Sequence, residues 1–309
     1  MLTLTEDPVE AEWFGGRGDL RLRPDAVRSV AAAAAQAVGV KVFPAVARHV
    51  MSLLADERCT IRSLRVAIEQ DPGLAGRLLR VANCAAYTRG TACRSIDDAV
   101  LRLGYRQVRG IVAGITAFGM FPTACPVGHA VRAHSAGVAA ILGVLGRAWR
   151  TGDAGDLFLV GLLHDLGKLA GLQVGEFPYN DLEDDDLRAP DRVHVWERAR
   201  AGYDHAALGA AVLHGWRFDS VVVRTVAAHH DPGLAYAEDG GVGLGVALLR
   251  LAEAIEYQLH RGPELDADFL DEVGRSGECS YAGFSREVLY GMWPRLAACH
   301  HELQAALID

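Results

Sequence analysis

Apolar residues recur at three- and four-residue spacing along almost the whole chain, while period-two runs rich in Val, Ile and Thr are hard to find. A chain patterned in this way offers one apolar stripe per helix and no half-buried strand, so the expected fold class is all-α. Its 309 residues suffice for a sizeable core, in one large domain or two. Half the residues are hydrophobic and 23% are charged, a balance that excludes a disordered or fibrous chain.

Helix boundaries are written in local chemistry. After a poorly patterned opening of some 25 residues, "PDAVRSVAAAAAQAV" combines a Pro-Asp start with strong helix formers. "FPAVARHVMSLLAD" follows, with Pro44 in its first turn. In "TIRSLRVAIEQDPGLAGRLLRVANCAAY", Thr60 is the expected N-cap of one helix, and Asp71 before Pro72 caps and opens the next. In "SIDDAVLRLGYRQVRGIVAGITAFGMF", Ser95 is a further cap and Gly104 a stop. "FPTACPVG", residues 121–128, interrupts the pattern with two prolines and a glycine and is read as a boundary. Helices are expected beyond it near 128–149, 155–171, 190–201, 204–216, 219–230, 242–260 and 284–305. The division is an extension over 1–25, an N-terminal helical subdomain over 26–124, a helical core over 125–264 and a C-terminal helical extension over 265–309. The acidic "NDLEDDDLRAPD" reads as a solvated loop.

The net charge of −8 argues against a general nucleic-acid surface, which needs clustered Lys and Arg. Residues 97–118 have a helix-turn-helix look, but Arg102, Arg106 and Arg109 read there as a solvated face. The start, "MLTLTEDPVEAEW", has neither a charged n-region nor an apolar h-region, and no window holds about 18 uninterrupted apolar residues. A cytoplasmic protein without a membrane partner is expected. The six cysteines form no C-x-x-C pair and read as small buried apolar residues.

"LVGLLHDLGKLA" sets a His-Asp pair inside an apolar run, where imidazole and carboxylate each need a partner. His134, His205, and the pair His229 and His230 sit in similar helical surroundings. Neighbours on a helix point about 100° apart, so both members of His164–Asp165 or of His229–His230 can reach one centre. A metal ion would satisfy such groups together. Imidazoles with one or two carboxylates and no thiolate suit Fe, Mn or Zn, and two ions about 3.5–4 Å apart could clamp a phosphoryl group. The alternatives are core histidines bonded to backbone carbonyls, or histidines that bond one another and hold no metal.

These residues resemble the HDOD proteins, the HD-related output domains of bacterial signalling. The first half carries the likeness in "FPAVARHVMSLL", "AIEQDPGLAGRLLRVANCAAY" and "SIDDAVLRLGYRQVRGIVAG", the second in "LVGLLHDLGKLA", "DHAALGAAVLHGW" and "VAAHHDP". The likeness spans roughly residues 40–260 and implies the HDOD fold, with residues 125–264 as its HD-like core. From the HD superfamily of metal-dependent phosphohydrolases it implies metal ligands at His134, His164, Asp165, His205, His229, His230 and Glu253, the last standing where the pattern has Asp. Lys168 matches the lysine near substrate phosphate and would join Asp165 in any catalysis. Ala130 adds no carboxylate, and the Gly-Tyr-Pro signature of cyclic-di-GMP phosphodiesterases is missing after His230.

The resemblance implies a regulatory signal-transduction protein without catalysis, acting through a signalling protein partner or a nucleotide-type ligand. The stretch around Asn83 and Tyr87 would then supply a polar contact at the subdomain interface or groove, or serve only as a helix C-cap. The alternative is a metal-dependent phosphohydrolase or phosphodiesterase.

Overall fold

A computed structural model describes residues 24–39, 44–54, 56–84, 87, 90–121, 125–149, 154–179, 182, 192–237 and 241–308. The opening of the chain and nearly all of the acidic stretch at 180–191 lie outside these residues. Among the described residues every regular element is helical. The helices are α1 (Pro24–Gly39), α2 (Ala45–Leu54), α3 (Ile61–Ile68), α4 (Pro72–Asn83), α5 (Ile96–Leu103), α6 (Tyr105–Gly119), α7 (Pro126–Ala148), α8 (Ala154–Leu163) and α9 (Leu166–Val174). They continue as α10 (Val193–Ala201), α11 (His205–Gly215), α12 (Ser220–Ala228), α13 (Gly233–Ala237), α14 (Gly241–Arg261), α15 (Ala267–Gly274), α16 (Gly277–Tyr281) and α17 (Arg286–Ile308).

The caps follow the sequence. Thr60 and Ser63 form a reciprocal capping box on α3, Asp71 accepts from Leu74 N on α4, and Ser95 with Asp98 boxes α5. Gly104 ends α5 at φ 79°, a conformation that side chains with a Cβ resist. The helix expected over 155–171 is two helices instead. α8 stops at Leu163 and α9 starts at Leu166, with Asp165 at φ −95°, ψ 11° between them. The break turns the Asp165 carboxylate toward side chains of Lys168 and His205, which give it the partners that an apolar helix interior lacks. The apolar window Leu157–Val174, long enough to cross a membrane by composition, runs through this turn and is 78% buried within the protein.

Contacts divide the chain into two compact units, Met1–Val42 with His164–Val246 and Phe43–Leu163 with Ala247–Asp309. The break at 121–128 therefore lies inside the second unit, between α6 and α7. Both of those helices pack on α8, so residues on either side of the break share one core. Two glycines allow it: a Cβ on Gly114 would stand 2.8 Å from Leu162 Cδ2, and one on Gly161 would stand 2.7 Å from Ala139 Cα. α17 lies along α7 in the same unit. Cys84, Cys93, Cys279 and Cys299 are buried, Cys59 and Cys125 partly so, and none is in a disulfide.

Asn83 and Tyr87 are structural residues of this unit. The C-cap of α4 is Cys84, not Asn83. The Asn83 amide clamps one residue of the following loop, accepting from Cys93 N at 2.7 Å and donating to Cys93 O at 2.9 Å. Arg102 joins this loop by donating to Ala82 O, Asn83 Oδ1 and Thr91 O, so it is a brace and not a solvated side chain. Tyr87 is buried, takes a hydrogen bond from Gln107 Nε2 at 2.7 Å and lies under the Arg147 guanidinium at 4.2 Å. Replacing Asn83 by Ala removes both halves of the clamp and is expected to lower stability by about 1–3 kcal/mol. Asn83→Asp keeps only the accepting half and should fall between, as read from urea unfolding midpoints.

The first unit is built around α11, which packs on α1, α9 and α12. Gly167 of α9 and Gly209 of α11 approach each other closely. A Cβ on Gly167 would lie 1.9 Å from His205 O and 2.7 Å from Gly209 N. The glycine of the "HDLGK" segment is thus what lets the start of α9 reach the start of α11.

Candidate metal centre

That close approach sets Asp165 against His205. Asp165 is buried at the head of α9 and takes Lys168 Nζ on Oδ2 at 2.8 Å, a contact one helical turn long. Its Oδ1 stands 3.1 Å from His205 Nε2, and its Oδ2 stands 3.6 Å from His164 Nε2.

His205 opens α11, whose N-cap is Asp204. The other face of its ring meets Glu197 of α10: Nδ1 is 2.7 Å from Glu197 Oε2, and the same oxygen accepts from His205 N at 2.8 Å. Tyr179 donates to the second oxygen of Glu197 at 2.5 Å, and Tyr179, Glu197 and His205 are all fully buried. Arg198, beside Glu197, ties α10 to Asp204 at 2.8 Å and also to Asp231.

The turn after α12 brings in His229 and His230. His229 donates Nδ1–H to Val226 O at 2.6 Å, which makes Nε2 the lone-pair nitrogen. His230 Nε2 is 3.0 Å from His205 Nε2, while its buried Nδ1 makes no hydrogen bond among the described residues. His194 stacks on the His230 ring at 4.3 Å, and His164 meets the His229 ring edge-on at 5.4 Å. Ligand-type atoms of His205, His229 and His230 all lie within 4.8 Å of one another, in buried positions.

Charge in this pocket is set by burial against neighbours. Burial favours a neutral Asp165, but Lys168, His164 and His205 outweigh it and hold the carboxyl well below its ordinary range. Burial disfavours a charged His205, yet Glu197 and Asp165 raise its pKa to about 9. For His229 and His230, burial and the surrounding imidazoles act together and keep both rings neutral. Burial and the adjoining Glu197 push Tyr179 well up, so it remains a donor.

Of the residues expected from the sequence, the first unit gathers His164, Asp165, Lys168, His205, His229 and His230. His134 and Glu253 belong to the second unit. There His134, buried on α7, meets Glu256 Oε2 through Nδ1 at 2.6 Å, and Glu256 Oε1 faces His300 Nε2 at 3.2 Å. Gly137 makes room for that pair, since a Cβ on it would stand 2.7 Å from the His300 ring. Burial opposes ionisation of Glu256, but His134 and His300 hold it well below the usual carboxylate range. Glu253, one turn earlier on α14, is also buried.

Sequence reasoning missed Glu197, Tyr179, His194, Glu256 and His300. Glu197 carried a usable signal: in "ERARAGYDH" a carboxylate precedes the N-cap and His205 across a short turn, where reversal of the chain folds it back onto the next helix. Tyr179 and His300 carried none, because only tertiary packing brings them to their partners.

The donor set fits a divalent transition metal. Two imidazoles are neutral, one of them with its tautomer fixed by a backbone carbonyl, and one carboxylate is ionised beside them. An all-helical scaffold that gathers buried histidines and a carboxylate at one place defines a class, that of helical proteins with a candidate metal centre. The family is narrower. The HDOD domain matches residues 40–232, and the chain belongs to the HDOD family.

A curated relative from Treponema pallidum (strain Nichols), an uncharacterized protein, is 27% identical over 171 residues. The match covers 53% of this chain and 32% of that protein, so the chain spans about a third of the relative. Among solved structures, an HDOD domain protein of unknown function from Geobacter sulfurreducens is similar at TM-score 0.66 and 20% identity, over 90% of this chain and 99% of that one. A candidate metal-dependent phosphohydrolase from Shewanella amazonensis SB2B is similar at TM-score 0.65 and 19% identity, over 92% and 100%. A candidate signal transduction protein from Marinobacter aquaeolei VT8 is similar at TM-score 0.58 and 21% identity, over 92% and 64%. At these identities the likeness is one of fold.

Proposed function

We propose that this chain is a signal-transduction protein whose HD-like core holds a divalent metal and works by binding, not turnover, with a signalling protein or a nucleotide-type ligand as its partner. The ion would be Fe, Mn or Zn, one or two per chain, held by His205, His229, His230 and Asp165 with His164 beside them. The observation that carries the non-catalytic part is Lys168. In a hydrolase its ammonium would meet substrate phosphate, but here it is buried and bonded to Asp165 at 2.8 Å. A lysine bonded to a buried carboxylate is engaged within the protein, which supports binding over turnover. The acidic net charge supports a partner other than nucleic acid.

The second reading, a metal-dependent phosphohydrolase or phosphodiesterase, is favoured by the buried imidazole set itself, since a metal there would polarise a phosphoryl oxygen and lower the pKa of bound water. One experiment separates the two. Protein purified without chelator or metal-binding tag is analysed for metal and assayed against nucleotide phosphodiesters, with Asp165→Ala in parallel. The expected result is about one or two equivalents of metal in the wild type, little in the variant, and turnover indistinguishable from buffer in both. Turnover lost in Asp165→Ala would replace the first reading with the second. Metal absent from both samples would remove the centre from either.

A further inference from the structure

The first unit contains a buried relay that none of the expected ligands accounts for. Segment 175–179 turns back after α9, helped by Gly175 at φ 76° and by Gly171, on which a Cβ would press 2.5 Å from the Phe177 ring. Phe177 packs on Tyr179 at 5.5 Å and on Tyr203 at 5.7 Å, and Trp196 closes on Tyr179 at 6.1 Å. This aromatic wall fixes the Tyr179 hydroxyl on Glu197 Oε1, and Glu197 Oε2 then receives the backbone N–H and the Nδ1–H of His205. Every polar atom of the Glu197 side chain is thereby used, on one side by Tyr179 and on the other by a single histidine. A buried carboxylate costs free energy unless its bonds serve the fold or the site. The backbone N–H of His205 alone would give α11 its start, yet Asp204 already caps that helix through Ala207 N at 2.9 Å. The ring contact therefore needs a reason beyond capping.

We propose that Glu197 is a positioning residue for the metal centre: backed by Tyr179, it holds His205 by Nδ1–H so that Nε2 is the nitrogen presented to Asp165 and His230. The inference rests on the metal-binding reading above. A carboxylate behind a ligating imidazole fixes ring orientation and raises ligand basicity, and loss of such a partner costs metal affinity.

The test uses the full chain, with histidines labelled with 15N and with Mn2+ and Zn2+ as probes. Glu197→Ala is expected to weaken metal binding about 10–100-fold in calorimetry. Glu197→Gln keeps an acceptor for Nδ1–H and an amide donor for the Tyr179 oxygen, so it should rescue most of the loss. Independently of metal, the hydrogen-bonded Nδ1 proton of His205 should be retained in Glu197→Gln and lost in Glu197→Ala. A folded Glu197→Ala that binds metal as the wild type does, or keeps that proton, would overturn the assignment. If the alanine variant does not fold, Tyr179→Phe decides: weaker binding supports the relay, and wild-type affinity overturns it. If the wild type binds neither metal, the metal-binding reading fails on its own account, and the Nδ1 proton alone settles whether Glu197 positions the ring.

Discussion

Gly167→Ala is expected to cost about 3 kcal/mol or more and to dismantle the candidate metal centre. The new methyl group would sit 1.9 Å from His205 O and 2.7 Å from Gly209 N. Both are backbone atoms, so no rotamer change relieves the overlap. Only separation of α9 from α11 does, and these two helices carry Asp165 and His205. Any separation lengthens the 3.1 Å contact between them, so metal content should fall together with the urea midpoint. Gly76→Ala is the matched comparison. Gly76 lies inside α4, where an added methyl group would meet nothing within 4 Å, so the same change should stabilise by roughly 0.5–1 kcal/mol through helix propensity. Equal midpoints for Gly167→Ala and the wild type would mean that α9 and α11 do not depend on this approach.

How far the sequence reveals the molecule depends on the range of the interaction. Thr60, Asp71, Ser95 and Gly104 act within one turn, and their roles are legible because cap chemistry is local. The HDOD likeness likewise rests on short segments in a fixed order. The break between Leu163 and Leu166 is not legible, since the flanking residues continue a helical pattern and one of the two partners that Asp165 meets there, His205, lies far along the chain. The grouping of residues into two units is hidden for the same reason: α8 joins α6 and α7 across the Pro-rich break through glycines whose packing partners lie far along the chain. Within the site, histidines in apolar runs stand out as anomalies. Glu197 is marked only by its place one short turn before Asp204 and His205, whereas Glu256, in a helix with other charged or polar neighbours, looks like an ordinary surface carboxylate, and only its burial against His134 distinguishes it.

Lys168→Met should cost about 3–5 kcal/mol at neutral pH, the range for removing one partner of a buried ion pair. The methionine keeps most of the lysine's bulk but leaves the buried Asp165 without its ammonium. In the wild type the folded pKa of Asp165 lies well below its unfolded value of about 4, so ionisation contributes stability that is present above that value and lost as pH falls through the folded one. Lys168 is the largest of the attractions opposing burial, so its removal raises the folded pKa and erases that contribution. The gap between wild type and variant is therefore widest near neutral pH and narrows as pH drops below about 4. Glu256 adds a similar acid-side loss in the second unit, but it is common to both proteins and cancels in the difference. Unfolding by urea from pH 7 to pH 3 measures the gap directly. Adding Asp165→Asn to Lys168→Met should recover part of the loss at pH 7, because a neutral amide costs less to bury than a carboxylate that has lost its ammonium. A gap that stays constant with pH, without recovery in the double variant, would mean that Lys168 contributes through its methylenes alone and leaves its ammonium available to a phosphate, which is the condition the hydrolase reading requires.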